Sequence, residues 1–186
     1  MKMHLFVALA ATLVSATASA QGYGVLAAGL SRLSGACSGA TACDVSDTAV
    51  KLIGGYKFTK DFAGELTYFD FGKSSASGSG VSGEVKNVAV GGSVAFHQDG
   101  TDSHFVARLG LARVKTKVSG TIAGVGSAGD SDSNIALATG LGAGFKWSKT
   151  VSIDGSWDYT RAKYNKNGVN ESGSINFLSI GVTFWY

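Results

Sequence analysis

The final stretch of the sequence, LSIGVTFWY at residues 178–186, alternates between large apolar side chains and small or polar ones. The apolar residues occupy every second position, and the chain ends on one of them: Leu178, Ile180, Val182, Phe184 and Tyr186. Successive side chains of a β-strand point to opposite faces, so this stretch predicts a strand with one apolar face. A soluble β-sandwich and a barrel in lipid both use such strands, and the alternation alone leaves both architectures open.

The aromatic terminus favours the barrel. The last residues of a soluble domain are usually frayed and polar, whereas a barrel that pairs its last strand with its first can end inside the sheet, with an aromatic residue at the membrane interface. The stretch resembles the C-terminal signature of bacterial outer-membrane barrels, which ends in an aromatic residue preceded by apolar residues at alternate positions. The resemblance implies that residues 178–186 are read by the barrel-assembly machinery.

The first twenty residues have the features of a secretory signal peptide. Lys2 supplies the positive start, residues 5–14 an apolar core, and Ala18-Ser19-Ala20 a small-residue cleavage site. We therefore expect residues 1–20 to be removed and residues 21–186 to form one domain. An uncleaved anchor is disfavoured because a spanning helix needs roughly 17 to 25 apolar residues. No later segment meets that length, so a membrane-embedded chain has to be a closed barrel.

Composition agrees with strands. The chain has 27 glycines, 10 phenylalanines, 6 tyrosines and no proline, which suits uninterrupted strands better than helices. The formal net charge is +3, with basic and acidic residues mixed along the chain. This pattern gives no electrostatic footprint for nucleic acid.

The two cysteines, Cys37 and Cys43, lie close together in a segment rich in Ser, Gly and Thr. After a secretory signal, we expect them to form a disulfide that rigidifies one loop. A metal pair is the alternative, but neither a histidine nor a third cysteine accompanies them.

Eight strands are predicted, near residues 22–33, 48–58, 62–72, 84–97, 104–116, 133–147, 150–162 and 173–186. The connections alternate between short ones (59–61, 98–103 and 148–149) and long ones (34–47, 73–83, 117–132 and 163–172). Bacterial transmembrane barrels have short periplasmic turns and longer outer loops. The alternation thus predicts an all-β, eight-stranded antiparallel up-and-down transmembrane barrel with both termini on the periplasmic side.

Alternation within the strands predicts which side chains face lipid. In the sixth predicted strand, one face is apolar and aromatic from Ile135 to Trp147, while Gly140, Gly142 and Gly144 lie on the other. The first strand is ambiguous, although we favour Leu26, Ala28 and Leu30 as lipid-facing. Aromatic residues near strand ends are expected in interfacial girdles: Tyr23, Phe58, Phe62, Trp147, Trp157, Tyr159, Phe184 and Tyr186.

Together with the signal peptide and the aromatic terminus, two internal segments carry a wider resemblance: Gly55-Tyr56-Lys57-Phe58, and the run from Glu65 to Gly72 with Tyr68 and Asp70-Phe71-Gly72. The sequence resembles the small outer-membrane barrel family that includes the membrane domain of outer membrane protein A. The resemblance implies the architecture and a bacterial outer-membrane location. Members of this superfamily serve as anchors, adhesins, resistance factors and, in separate branches, lipid-modifying enzymes. We expect no periplasmic peptidoglycan-binding domain, because the sequence ends at the barrel.

Charged residues on predicted inward faces are the most informative polar positions: Lys51, Glu65, Arg108, Asp154 and Asp158. The interior of an eight-stranded barrel is just wide enough for side chains to fill it, and buried charges persist when they are paired. We predict a lumen ion-pair network that acts as a plug. A gate whose pairs exchange to let ions pass is the alternative, which the resemblance also allows.

Enzymatic, metal and cofactor sites are not predicted. Asp99, Asp102, Ser103, His97 and His104 cluster around one turn and could be imagined as a catalytic set, but we interpret them as polar turn residues. The Asp130–Asn134 segment begins like a calcium loop but lacks the glycine and glutamate that complete one.

The prediction for function is a non-enzymatic envelope barrel, most simply monomeric, that presents surface loops for an extracellular ligand. Its expected partners are outer-membrane lipid and lipopolysaccharide. A narrow ion-conducting barrel and a lipid A-modifying enzyme on the same scaffold are the alternatives. The enzyme is disfavoured because no histidine lies in the half of the sequence assigned to the outer loops.

Overall fold

A computed structural model describes residues 22–34, 42–44, 46–78, 81–122, 126–166 and 169–186. The described residues form strands joined by short turns: β1 (Gly22–Ser34), β2 (Ala42–Asp44), β3 (Ser46–Lys57), β4 (Phe62–Gly78), β5 (Val81–Asp99), β6 (Ser103–Ile122), β7 (Gly126–Lys146), β8 (Val151–Lys166) and β9 (Val169–Trp185). Within these ranges, no helix is long and apolar enough to cross a membrane. The predicted signal peptide lies outside the described residues.

The strands close into an antiparallel up-and-down barrel of eight staves, where a stave is one strand position in the barrel wall and β2 and β3 together occupy one of them. β1 pairs with both β3 and β9, and β4 pairs with both β3 and β5, so the sheet has no free edge in the barrel wall. β2 continues the stave of β3, because both pair with β4. The predicted fold class is therefore confirmed. Closure satisfies the backbone groups of the first and last strands, and the N–H of Tyr186 donates to the carbonyl of Gly22 at 3.0 Å.

The two ends of the barrel differ. One end, called the turn end here, carries the short turns at residues 58–61, 100–102 and 147–150 together with Gly22 and Tyr186. The opposite end, called the hairpin end, carries the continuations of the strands. Most of residues 73–83, 117–132 and 163–172, predicted as loops, instead form strand pairs, for example Val81 with Ile122. The prediction of long loops was wrong there because small polar residues also pair as strands once a hairpin partner lies beside them.

The predicted faces are confirmed. Large apolar side chains point outward along the staves, including those of the last strand, where Leu178 is 66% exposed and Ile180 is 68% exposed. In β1, Leu26 and Leu30 point outward while Val25 and Ala27 are buried. One girdle assignment was wrong, since Tyr23 is buried inside the barrel. Apolar residues occupy both faces of β1, so alternation could not decide its orientation.

The lumen is filled in two ways. Toward the hairpin end it holds an apolar plug, whose largest members are Phe69, Phe71, Ile175 and Phe177. Toward the turn end it holds a smaller apolar cluster around Tyr23, Val25 and Ile53. Charged side chains lie between and around these clusters, and they form the candidate site.

Candidate functional site

The charged side chains of the lumen come from strands that are not adjacent in the barrel wall, which brings together residues far apart in sequence. Glu65 on β4 faces Arg108 on β6, and Lys51 on β3 faces Asp158 on β8. We call these four residues, with Tyr23 and His97, the lumen network. Each occupies the inward parity of its strand, so the site follows from alternation and barrel closure.

Glu65 accepts hydrogen bonds on both carboxylate oxygens. Arg108 Nε lies 2.9 Å from Oε2 and 3.1 Å from Oε1, and Ser93 Oγ donates to Oε2 at 3.1 Å. The Tyr23 hydroxyl donates to Oε1 at 2.7 Å. A buried carboxylate is tolerated when its charge is paired and its lone pairs are occupied, and Glu65 meets both conditions.

The Tyr23 hydroxyl also fixes the tautomer of His97. The two groups are 2.9 Å apart, and the single hydroxyl proton of Tyr23 is already directed at Glu65. His97 Nε2 therefore carries the proton and donates it to the Tyr23 oxygen. A hydrogen-bonded chain runs from His97 through Tyr23 to the Glu65–Arg108 pair.

Lys51 is the second buried cation. Its Nζ lies 2.5 Å from Asp158 Oδ2, donates to Ser156 Oγ at 2.6 Å, and lies 5.7 Å from the centre of the Phe177 ring. The Lys51 side chain is 1% exposed, so the ammonium is almost fully removed from solvent. The ring and the two oxygens surround it, which compensates for the lost hydration.

Asp154, the fifth predicted lumen residue, lies nearer the turn end and forms a separate group. His104 Nε2 is 2.9 Å from Asp154 Oδ1, and the Thr183 hydroxyl donates to Oδ2. Gly144 makes this approach feasible, because a Cβ there would lie 1.8 Å from Asp154 Oδ1 and 2.5 Å from the His104 ring. The glycine face of β7 thus accommodates lumen side chains.

The interpretation of His97 and His104 as polar turn residues was wrong. Both are buried inside the barrel, where each ring lies edge-on to Trp185 at about 6 Å. Asp99, Asp102 and Ser103 of the same predicted cluster remain at the surface of the turn end. Strand parity could have separated the two groups, because His97 shares the inward parity of Ser93 and Ala95, and His104 that of Val106 and Arg108.

The space left inside the lumen is small. One cavity of about 20 Å³ borders Phe69, Phe71, Arg108 and Asp158. A second, also of about 20 Å³, borders Tyr23, Lys51, His97, His104 and Arg108. Each has room for about one water molecule. Arg108 lines both cavities, so the ion pairs lie between them.

A further charged cluster lies at the mouth of the turn end. Lys57 Nζ is 2.6 Å from Asp99 Oδ2 and 4.9 Å from the Trp185 ring, while Lys146 Nζ is 3.5 Å from Asp99 Oδ1. Burial acts to raise the pKa of Asp99, but the hydrogen bonds and charges of the two lysines outweigh it, and the pKa is lowered. An open depression of about 510 Å³ lies over this cluster.

Other predicted features lie elsewhere. Cys37 is outside the described residues and the side chain of Cys43 in β2 is not described, so the disulfide stays a prediction. Residues 130–134, which resemble the start of a calcium loop, are part of β7. In the ranges the structure describes, no group of three or more His, Cys, Asp or Glu residues is placed to hold a metal ion.

Comparison with known proteins gives the same architecture. Neisserial surface protein A is 16% identical over 89% of this chain and 97% of its own, with a TM-score of 0.62. The attachment invasion locus protein Ail of Yersinia pestis is 18% identical over 88% of this chain and 99% of its own, with a TM-score of 0.55. A major outer membrane protein from Thermus thermophilus is 10% identical over 89% and 99%, also with a TM-score of 0.55. Identities this low show the fold alone.

The comparison with curated protein sequences gave no match. The family model described as the outer membrane protein beta-barrel domain matches residues 5–186, and so covers every strand and the whole lumen network. The chain therefore belongs to the outer membrane protein beta-barrel domain family and is a protein of the bacterial outer membrane.

Proposed function

We propose that this barrel is a non-enzymatic envelope protein with a sealed lumen, which holds its outer hairpins rigidly above the membrane. The turn end then faces the periplasm and the hairpin end the outside. We further propose that the barrel acts as a monomer and that residues 178–186 present its assembly signature. Five outward side chains of that stretch alternate up to the terminal Tyr186, as such a signature requires.

The observation that carries the proposal is the way the lumen charges are satisfied. Glu65 has donors on both oxygens, and Lys51 is enclosed by Asp158, Ser156 and Phe177. An ion moving along the lumen has to break these contacts and then pass the aromatic plug of Phe69, Phe71 and Phe177. Separating a buried pair leaves both charges away from water and without a partner, so the closed arrangement is favoured.

Planar-bilayer recording tests the sealed lumen. The refolded chain is expected to give no defined channel events, and Arg108→Ala and Glu65→Ala are also expected to be silent because the aromatic plug persists. Lys60→Gln, a change at the turn end far from the lumen charges, is the matched control. Defined events in the wild type that Arg108→Ala or Glu65→Ala alters, and Lys60→Gln does not, would contradict the proposal.

A narrow ion channel is the second candidate, and one observation favours it. Arg108 and Asp158 border the same cavity of about 20 Å³, so Arg108 has a second carboxylate at hand if its pair with Glu65 opens. A gate would require Arg108 to change its partner from Glu65 to Asp158. The same recordings decide between the two candidates.

Lipid modification is the enzymatic rival. It requires an acid-base group at the outer rim, where the acyl chains and headgroups of the lipid meet. His97 and His104 instead lie inside the turn-end half of the lumen, out of reach of outer-leaflet lipid. Incubation of the refolded barrel with lipopolysaccharide and phospholipid, followed by mass spectrometry of the lipids, is expected to show unchanged lipids. Loss or transfer of an acyl chain would refute the non-enzymatic function.

The surface role rests on the outer hairpins. β4, β5, β6 and β7 stay paired up to Gly78–Val81 and Ile122–Gly126, so they form one continuous wall above the membrane. A rigid wall of this kind suits binding, because little ordering is needed when a partner arrives. The extracellular partner is best sought by capture with wild-type barrels and barrels whose hairpin tips are exchanged.

A further inference from the structure

Basic side chains are concentrated on one outward face above the lipid-facing band. Arg113, Lys115 and Lys117 occupy successive outward positions of β6 and are exposed. Arg161 and Lys163 occupy successive outward positions of β8 and are also exposed. β7 lies between these two strands, with Ser131 and Ser133 exposed on the same face. We call these five cations and two serines the basic face.

The basic face directly continues the surface that contacts lipid. On β6 the outward residues before Arg113 are Leu109 and Leu111, each 59% exposed. Two residues of a strand advance by roughly 6.6 Å, so the Arg113 side chain leaves the strand roughly 6.6 Å beyond that of Leu111. The basic face therefore stands at the height where hydrocarbon gives way to headgroups.

Two aromatic residues precede the cations on β8, the strand on the other side of β7. Trp157 and Tyr159 point outward from β8 with their ring centres 6.3 Å apart, and Arg161 Nε donates to the Tyr159 hydroxyl at 3.0 Å. Amphipathic rings of this kind favour the membrane interface. Arg161 thus extends from the interfacial aromatic pair toward the outside.

The basic face has small side chains at its centre and long basic ones at its edges. The β7–β8 ladder ends at Ala138 and Thr160. Beyond it, the Asn134 side chain spans the two strands by accepting from the Lys163 N–H at 3.0 Å. On the other side, Arg113 donates to Ser133 Oγ at 3.0 Å. Long basic side chains thus flank a floor of small serines.

The charge is unbalanced on this face and balanced on the face beside it. On β4 and β5, Lys86 pairs with Asp70 at 3.0 Å and Lys73 pairs with Glu84 at 3.1 Å. In the described parts of β6, β7 and β8, no acidic residue has outward parity. Asp130 and Asp132 of β7 have the opposite parity, and Asp154 and Asp158 point into the lumen. A cluster of five cations is therefore directed at the membrane surface.

We infer that the basic face binds the phosphate groups of the outer-leaflet glycolipid, the lipopolysaccharide of the bacterial outer membrane. Its acyl chains lie against Leu109, Leu111 and Leu137, its sugars meet the Trp157–Tyr159 pair, and its phosphates lie over the two serines between the basic side chains. A phosphate anchored in the membrane meets these cations at fixed height, whereas a soluble polyanion has no contact with the apolar band below. This inference rests on the outer-membrane location and on the proposed orientation with the hairpin end outside, but not on the sealed lumen.

Binding to lipopolysaccharide in neutral detergent, followed by native mass spectrometry of the full barrel, tests the inference. Wild type is expected to retain lipopolysaccharide and to lose most of it when the lipid is first dephosphorylated. Lys115→Gln combined with Lys163→Gln is expected to weaken binding on the order of 30-fold, since each basic residue near an anionic surface contributes about fivefold. Lys60→Gln combined with Lys149→Gln removes the same charge at the turn end and is expected to bind as wild type.

Three results would overturn the inference. Equal binding of dephosphorylated and intact lipid would exclude phosphate recognition. This comparison uses the wild-type barrel alone, so it does not depend on how a variant folds. Equal binding by the Lys115/Lys163 variant, once its heat-dependent gel shift shows a folded barrel, excludes the basic face. A soluble sulfated polysaccharide that binds the same residues more tightly than lipopolysaccharide assigns the face to a soluble polyanion. Arginine keeps the positive charge at both positions, so Lys115→Arg combined with Lys163→Arg is expected to bind as wild type does.

Discussion

The two halves of the lumen differ in the chemistry that dominates their filling. Toward the hairpin end, Phe69 and Phe71 stack at 5.0 Å and Phe177 meets both edge-on. Toward the turn end, hydrogen-bonded and charged side chains surround a smaller apolar cluster, with Glu65 at 4% exposure and the Lys51 side chain at 1%. Apolar filling requires shape complementarity, whereas polar filling requires that every charge keeps its partner.

The two halves are therefore expected to respond differently to truncation of a side chain. Removing part of an apolar plug leaves a cavity that its neighbours can partly close. Removing one partner of a buried pair leaves a charge that neighbours cannot neutralise. The free energy of unfolding, measured by urea titration in lipid vesicles with tryptophan fluorescence, separates the two responses.

Arg108→Ala is expected to have the largest effect. It leaves Glu65 buried without its cation and should lower the free energy of unfolding by about 3 to 5 kcal/mol. The control is the double change Arg108→Met with Glu65→Leu, which removes both charges and is expected to cost much less. A double variant as unstable as Arg108→Ala would show that packing, and not the stranded carboxylate, carries the effect.

Phe177→Ala is expected to come next, with a loss of about 3 kcal/mol, the lower end for a buried phenylalanine because Phe69 and Phe71 can close part of the cavity. The same vesicle titration measures it. Leu178→Ala is the matched control one residue away, since Leu178 points to lipid, and its expected loss is smaller. Equal losses at the two positions would mean that the apolar plug is loosely packed.

Gly144→Ala probes the Asp154–His104 group. The added Cβ would lie 1.8 Å from Asp154 Oδ1, so the carboxylate has to move away from His104, at about 1 to 3 kcal/mol. Gly155→Ala is the matched control on the adjacent strand, because nothing lies within 4 Å of a Cβ there. If both variants are equally stable, the close approach of Asp154 and His104 is not maintained in the membrane.

The smallest effect is expected at the turn end, where Asp99 is partly solvated. Asp99→Asn should lower stability by less than about 1 kcal/mol at neutral pH, since exposed ion pairs contribute little. The pKa of Asp99 is lowered in the fold, so its contribution is present above the unfolded pKa of about 4 and is lost as the pH falls through the folded pKa. Wild type and Asp99→Asn should therefore converge in acid, and a gap that widens there would reverse the assigned sign.

Alternation located the staves and their faces well because it depends only on neighbouring residues. Leu178 to Tyr186 and Ile135 to Phe145 point as their period of two predicts, whereas β1, which is apolar on both faces, could not be oriented in this way. Strand length was less predictable. Residues 117–132 have the composition of a loop. Within them, however, Lys117 pairs with Ser131 and Val118 with Asp130, because the neighbouring strand of the hairpin supplies backbone hydrogen-bond partners.

Sequence alternation was enough to predict the eight-stave barrel, the lipid-facing side of strands such as β7 and β9, and the inward parity of Lys51, Glu65, Arg108, Asp154 and Asp158. Parity states which way a side chain points but not which residue it meets. The pairing of Glu65 with Arg108 and of Lys51 with Asp158, and the burial of Tyr23, His97 and His104 beside them, depend on distances across the lumen. Closure of the barrel fixes those distances, because strand stagger and tilt set which inward side chains share a level.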